Sequence, residues 1–332
     1  MTDFAEVTLT SWVTPLLLLW SIFLLDLWLG DPVYRFHPIR LIGFSLIYLE
    51  RWLFARGWNG YTGGILLGLL LLGIVLGCYF LLQKLFGSLH PVLGWSLDLF
   101  LGYSLLALRD LEIHGLRVWR ATAEGNLMAA REEISQLVGR DVERLDLAGC
   151  NRATLESLSE NLSDGVVSPL IWLTLVGIPG MLAFKVISTM DSMVGYRNSR
   201  YLRFGWFGAR ADDLMNWVPA RLTWVLLSIS AWVLPDYDGR MAWSIGLSQH
   251  QYMSGPNAGW GQAASAGALR VQLVGEKWKN GRLQHSAWLG HPDDSSEVGA
   301  DFIPKLIRLN RYAIYIRMDP HATGFANERH PC

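Results

Sequence analysis

The chain has 332 residues, 51% hydrophobic and 17% charged, with 16 tryptophans and a mean hydropathy of +0.24. That is too apolar for an ordinary soluble domain of this length and points to an all-α polytopic membrane protein. A net charge of −1 provides no global basic field for nucleic acid, and Cys78, Cys150 and Cys332 lack any paired spacing for zinc, an iron–sulfur cluster or a disulfide framework.

Crossing a bilayer core of roughly 30 Å takes about 20 apolar residues in a helix. The first candidate, 15–29, is interrupted only by Asp26. Asp3 and Glu6 stand where a cleavable signal would need basic residues, so this segment is expected to be a retained first helix. The stretch GDPVYRFHPIR then makes a proline-fixed turn, in which His37 and Arg40 either meet an acidic group or anchor the cytoplasmic face. The second candidate, 61–86, carries Gly63, Gly64, Gly68, Gly73 and Gly77, which permit close helix approach. The third, 91–108, carries one acid, Asp98. Arg35, Arg40, Arg51 and Arg56 follow the first span and Arg109, Arg117, Arg120 and Arg131 the third, which places both loops in the cytoplasm.

Residues 1–108 thus read as three transmembrane helices with a basic cytoplasmic loop, and 109–164 as cytoplasmic amphipathic helices punctuated at Gly139. Residues 165–235 read as a membrane-associated core. Its uncharged run 165–184 contains Gly177-Ile178-Pro179-Gly180, which favours a broken or re-entrant helix. A simple crossing there would expose Arg197 and Arg210 on the outer side. The run 222–235 is also short for a full span. Residues 236–302 read as a Gly/Ala-rich, loop-like substrate region, with glycines suited to tight turns or small-residue helix packing. Residues 303–332 read as a basic segment ending in a disordered tail over 319–332.

Three polar blocks flank these apolar runs. Glu156, Glu160 and Asp164 recur every four residues, with Asn161 beside them. On a helix they form one stripe, either a Mg²⁺-holding face or a solvated one. Lys185 shares a helical face with Ser188, Thr189 and Ser192, near Asp191, Arg197 and Asn198. That grouping suits phosphate, although Lys185 alone also reads as an interface lysine. Asp212 and Asp213, followed by Asn216 and Arg221, read as metal ligands or as a helix-capping pair. No GxxxxGK[ST], GxSxG or HExxH motif is present.

The runs LDLWLGDPVYRFHPIRLIG, LVGRDVERLD, LESLSENLSDGVVSPLIW, FKVISTMDSMVGYRN, ARADDLMNWVPARLT and SGPNAGWGQAASAGALRVQL carry a family signature in their order and spacing. Over about residues 20–290 the chain resembles the CobD/CbiB family, the adenosylcobinamide-phosphate synthases of cobalamin biosynthesis. It departs at 303–318, where Lys305, Arg308, Arg311 and Arg317 replace a clean hydrophobic final helix.

The resemblance implies ATP-dependent amide formation between a corrin-ring carboxylate of adenosylcobyric acid and the amine of aminopropanol phosphate or aminopropanol. It also implies a multi-pass protein of the bacterial inner membrane, with its active site on the cytoplasmic side and other membrane-bound cobalamin-assembly enzymes as neighbours. A carboxylate is a poor electrophile, so activation as an acyl phosphate calls for Mg²⁺ and cations around the transferring group. On that basis Asp191, Asp212 and Asp213 are expected to hold metal, with Glu160 as a further ligand or as base for the incoming ammonium. Lys185, Arg197, Arg210 and Arg221 are expected to hold phosphates, and Asn161, Asn198 and Asn257 to orient substrates, alongside His37 and Arg40.

Read without the resemblance, the intramembrane acids Asp26 and Asp98 and the broken 165–184 segment suit an ion-coupled transporter equally well. Transport predicts paired inverted halves in the hydropathy, and none is visible.

Overall fold

The computed structural model describes residues 3–30, 34–279 and 281–315, with side chains from residue 15 to 314. Asp31, Pro32, Arg317 and the expected disorder of 319–332 lie outside the described residues. The chain is mostly helical: α1 (Asp3–Leu29), α2 (Pro38–Ala55), α3 (Tyr61–Leu89), α4 (Pro91–Ser104), α5 (Leu108–Ala123), α6 (Leu127–Ser135) and α7 (Leu147–Leu162) come first. A π-helical turn, Ser163–Val167, leads into α8 (Ser168–Val176). Then follow α9 (Ile178–Val194), α10 (Trp206–Met215), α11 (Trp217–Val233), α12 (Gly239–Gln249), α13 (Ala258–Leu269) and α14 (Phe302–Tyr315). Between α13 and α14, β1 (Leu273–Val274) pairs antiparallel with β4 (Trp288–Leu289), and β2 (Lys277–Lys279) with β3 (Arg282–Gln284).

Among the described residues two stretches are long and apolar enough to cross a membrane, α3 and Pro91–Ala123, the latter comprising α4 and α5. Pro15–Leu29 and α11 are apolar but shorter. Only 22% of the most apolar part of α3 is buried, whereas a core helix of a soluble protein would be mostly covered. Its Leu69, Phe80 and Leu81 are exposed, as are Trp20 and Leu24 on α1, Phe100 on α4 and Trp232 on α11. This pattern fits an all-α membrane protein.

The acids within these helices have local tasks. Asp98 accepts hydrogen bonds from Tyr79 Oη and Gln83 Nε2, both at 3.0 Å, and so fastens α4 to α3. Asp26 accepts from the backbone N–H of Arg109 at 3.3 Å, at the start of α5.

Glycine spacing in α3 sets how closely the rest can approach. A Cβ on Gly64 would lie 1.8 Å from the carbonyl oxygen of Phe204, and one on Gly205 1.8 Å from that of Val194, so the loop before α10 is clamped against α3 and α9. Gly73, farther along the same helix, has nothing within 4 Å. Gly64→Ala should therefore lose most of its folded yield while Gly73→Ala keeps it. Size-exclusion profiles of the two proteins in detergent check this.

The break expected within 165–184 falls at Gly177, whose φ of +74° is a left-handed conformation that glycine adopts without cost. Pro179 opens α9, which packs back on α8 so closely that a Cβ on Gly180 would meet the carbonyl oxygen of Trp172 at 2.7 Å. With nine residues, α8 is roughly 14 Å long at 1.5 Å per residue, under half a bilayer core.

The stretch 236–302 departs from its loop-like reading, because it contains α12, α13 and both strand pairs. Every residue of α13 from Gly259 to Leu269 is buried. The glycines do the packing work: Cβ atoms on Gly259, Gly261 and Gly267 would strike the carbonyl oxygens of His250, Ser159 and Met241. A helix enclosed on all sides has no polar face, and so shows none of the periodicity that would reveal it. The basic C-terminal segment forms α14, whose Lys305, Arg308 and Arg311 pair with Asp301, Asp236 and Glu112.

Two apolar cores result. The larger gathers α7, α11, α13 and α14, and the smaller gathers α2, α3 and the loop residue Phe204. The N-terminal half of α9 joins the first through Met181 and Leu182, and its C-terminal half joins the second through Ile187 and Met190. α9 packs on α10, and the acids of the polar blocks on α7, the π turn, α9 and α10 lie within electrostatic reach of one another.

Candidate active site

The site is built on an irregularity in a helix. Asp146 caps α7, its carboxylate accepting from Gly149 N at 2.7 Å. At the far end Pro169 cannot donate to the carbonyl of Gly165, which instead accepts from Ala107 N at 3.3 Å, while Ser168 N bonds to Ser163 O. The resulting π turn carries Asp164; such turns recur at functional sites.

The α7 stripe divides its labour. Glu156 is buried, paired with Arg140 and accepting from Val274 N at 3.1 Å, so it ties α7 to β1. Glu160 accepts from Gln262 Nε2 of α13 at 3.0 Å. Asn161 donates to Ser157 Oγ at 3.0 Å. Asp164 faces Asp212 and Glu160, with the cation Lys185 and then Asp191 also in electrostatic reach. Asp212 in turn faces Asp191, Asp213 and Glu160. Glu160, Asp191 and Asp212 are thus brought together as the sequence suggested. Asp164, the last member of that stripe, joins them from the π turn.

A hydrogen-bond relay fixes Asp212. Ser168 Oγ lies 2.5 Å from Asn216 Oδ1, and Asn216 Nδ2 donates to Asp212 Oδ2 at 3.0 Å, which leaves Asp212 Oδ1 buried with no partner. Asn216 is itself buried and joins α10 to α11. Asp213 lies about 100° around the helix and pairs with the exposed Arg210 at 3.0 Å.

Lys185 is 8% exposed, too enclosed for an ammonium that snorkels to water. Thr189 donates its hydroxyl to Lys185 O at 2.7 Å. Arg221 stacks over Trp217 at 4.0 Å and Trp260 at 5.0 Å, and donates to Trp217 O. Asn257 donates to Asp213 O at 2.9 Å, and its Oδ1 is buried and unpartnered.

Other candidates sit elsewhere. Arg197 is exposed in the loop after α9, and Asn198 caps that loop by accepting from Arg200 N and Tyr201 N. His37 caps α2, accepting from Ile39 N, while Arg40 lines a shallow depression with Tyr34, Phe36 and Phe44. Lys277 of β2 was missed, because nothing in its local sequence connects it to α7. It lies in electrostatic reach of Glu156 and Glu160.

Electrostatics follow from the crowding of acids. Burial, reinforced by Asp191, raises Asp212 to about 7. Burial and then Glu156 raise Glu160, and burial with Asp212 and Glu160 pushes Asp164 well above the usual carboxylate range. The sign for stability follows. Between the unfolded value near 4 and the folded value near 7, the native state holds a proton that the unfolded chain has released. This contribution is complete below pH 4 and is lost as pH rises through 7. Asp212→Asn should therefore raise the thermal midpoint at pH 8 and change it little at pH 4.5. Melting curves of the two proteins at both pH values check this.

The residues present fit a magnesium ion. The donors are all carboxylate oxygens, and Asp212 Oδ1 is aimed at no protein partner. Among the described residues no three acidic, histidine or cysteine side chains are grouped so as to hold a metal ion by themselves. Mg²⁺ does not require such a group, since it commonly takes one or two carboxylates and completes its shell with water and substrate phosphate.

The family model described as CobD/Cbib protein matches residues 19–310. The chain belongs to the CobD/CbiB family. Among the similar members is the Yersinia enterocolitica cobalamin biosynthesis protein CobD, 39% identical over 91% of this chain and 93% of that one. The CobD of Geobacter metallireducens is 42% identical over 81% and 84%, and the Salmonella typhimurium cobalamin biosynthesis protein CbiB 36% identical over 88% and 92%. No solved structure matches the chain. Within this CobD/CbiB chain the five residues gathered here on α7, the π turn, α9 and α10, Glu160, Asp164, Lys185, Asp191 and Asp212, fall in the matched region.

Proposed function

We propose that this CobD/CbiB family member acts in cobalamin biosynthesis as an adenosylcobinamide-phosphate synthase, an ATP-dependent ligase joining the amine of aminopropanol phosphate, or of aminopropanol, to a corrin-ring carboxylate. The observation that carries the reading is the convergence of Glu160, Asp164, Asp191 and Asp212 around the buried cation Lys185. Asp212 and Asp191, with Asp164 in support, would hold Mg²⁺, which supplies charge neutralisation for a nucleotide's phosphates. Lys185 lies among these acids to meet the transferring phosphoryl group, and Arg221, backed by two tryptophans, to meet a second anionic group.

Glu160 is the base for the incoming ammonium. One of its oxygens is held by Gln262, and burial, reinforced by Glu156, raises its affinity for protons above that of an ordinary carboxylate. Phosphorylation makes the carboxylate electrophilic, the neutral amine attacks, and phosphate leaves as the amide forms. Asn161 and Asn257 orient the substrates. A transport reading gains nothing from Asp26 and Asp98, whose hydrogen bonds tie helices together.

The same reading places the chain in the bacterial inner membrane as a multi-pass protein, with α8 and α9 re-entrant and the site open to cytoplasmic ATP. Ser199, exposed in the loop after α9, reports sidedness. A Ser199→Cys protein with Cys78 replaced by serine should resist an impermeant thiol reagent added outside intact cells, and labelling there would overturn the topology. The function itself is tested in a bacterium lacking its own family member. Expression of this chain should restore conversion of the corrinoid acid to its aminopropanol amide, and unconverted acid would refute the assignment.

A further inference from the structure

The β2–β3 hairpin carries a charge arrangement that its own fold does not satisfy. Its register pairs Lys277 with Gln284, Trp278 with Leu283 and Lys279 with Arg282. Alternation along each strand then puts Lys277 and Lys279 on one face, with Arg282 and Gln284 beside them on that same face. Lys279 and Arg282 are directly opposed like charges, an arrangement that costs stability. Among the described residues none of these three cations forms an ion pair.

The hairpin is anchored by other groups. Asp141 N donates to Trp278 O at 3.1 Å, and Gly281 N donates to Asp141 Oδ2 at 2.6 Å. The guanidinium of Arg144 lies 3.7 Å from the centre of the Trp278 ring. Lys277, on the same face as Lys279, is half-buried within electrostatic reach of Glu156, Glu160 and Arg140. The ammonium of Lys279 lies 6.0 Å from the ring of Tyr196, just beyond the end of α9 that bears Asp191. The basic face therefore bridges the α7 and α9 sides of the carboxylate cluster.

We propose that the basic face of this hairpin, Lys277, Lys279 and Arg282, is a binding site for the phosphate of a substrate, the bound anion lying between the opposed Lys279 and Arg282. The chemistry recognised is a phosphate monoester or anhydride, and the two sources are the nucleotide and the phosphorylated amino alcohol. The identity of these ligands rests on the ligase reading. Arg282 presents a planar fork suited to phosphate oxygens, and Lys277 places a point charge next to Glu160.

The test is calorimetric titration of the full chain in detergent with a non-hydrolysable ATP analogue plus Mg²⁺ and, separately, with aminopropanol phosphate. Wild type, Lys277→Ala, Arg282→Ala and the charge-matched control Lys305→Ala are compared. Loss of a charge-assisted contact should weaken one of the two ligands by about tenfold or more in both hairpin variants and leave Lys305→Ala unchanged. The ligand that weakens identifies the source. Without ligand, Arg282→Ala should melt no lower than wild type, because it removes a like-charge pair, whereas a purely structural arginine would lower the midpoint. Unchanged affinity for both ligands in both hairpin variants overturns the proposal and leaves the ligase reading intact. A wild-type protein that binds neither ligand overturns the ligase reading and this site with it.

Discussion

Asp212→Asn should lower amide formation on the order of 100-fold, while Asp213→Asn, its neighbour in sequence, should leave the rate within about a factor of two. The two acids look equivalent in the sequence and are not equivalent in the fold. Asp212 turns inward, fixed by Asn216 through one oxygen and with the other oxygen bare and buried among Asp164, Asp191 and Glu160. Asp213 turns outward to an exposed arginine, and pairs of that kind contribute little. Asparagine preserves the relay from Ser168 through Asn216, so folded yield should hold. Rates measured across a Mg²⁺ titration check the assignment: Asp212→Asn should fail to saturate where wild type and Asp213→Asn do. Equal losses in both variants would point to a general electrostatic effect and remove Asp212 from the metal site.

Lys185→Arg should insert and fold yet lose on the order of 100-fold in turnover, because misplacement at a reacting centre is costly even when charge is retained. An interface lysine keeps its ammonium in water, and arginine would serve nearly as well there. Lys185 instead lies 8% exposed, within electrostatic reach of the π-turn acid Asp164. The wider guanidinium has to displace neighbours or reposition the contact. Single-turnover rates at saturating ATP separate these cases. A wild-type rate for Lys185→Arg would leave the phosphate role to Arg221 and the hairpin cations.

Much of the architecture was legible because membrane helices announce themselves by length and apolarity. The 61–86 run became α3, and the Gly177-Ile178-Pro179-Gly180 signal marked a real break. The four-residue spacing of Glu160 and Asp164 pointed to a shared stripe, and both lie within electrostatic reach of Asp212, although Asp164 itself sits on the π turn that follows α7. What stayed hidden has physical causes. The α13 helix is rich in glycine and alanine and buried on every side, so no polar face punctuates it and composition left tight turns and helix packing equally open. Adjacent acids carry no sign of which one faces inward. Lys277 reaches Glu160 only through the tertiary fold, from more than one hundred positions along the chain, and local spacing is silent about such an approach.

The most direct measurement incubates purified protein in detergent with ATP, Mg²⁺, adenosylcobyric acid and aminopropanol phosphate, and analyses the corrinoid by mass spectrometry. Wild type should form the amide only when both ATP and Mg²⁺ are present, and Asp212→Asn should form it at about a hundredth of that rate. Absence of the amide from the complete wild-type mixture, or its formation at an undiminished rate by Asp212→Asn, would contradict an ATP-dependent ligation centred on the buried carboxylates.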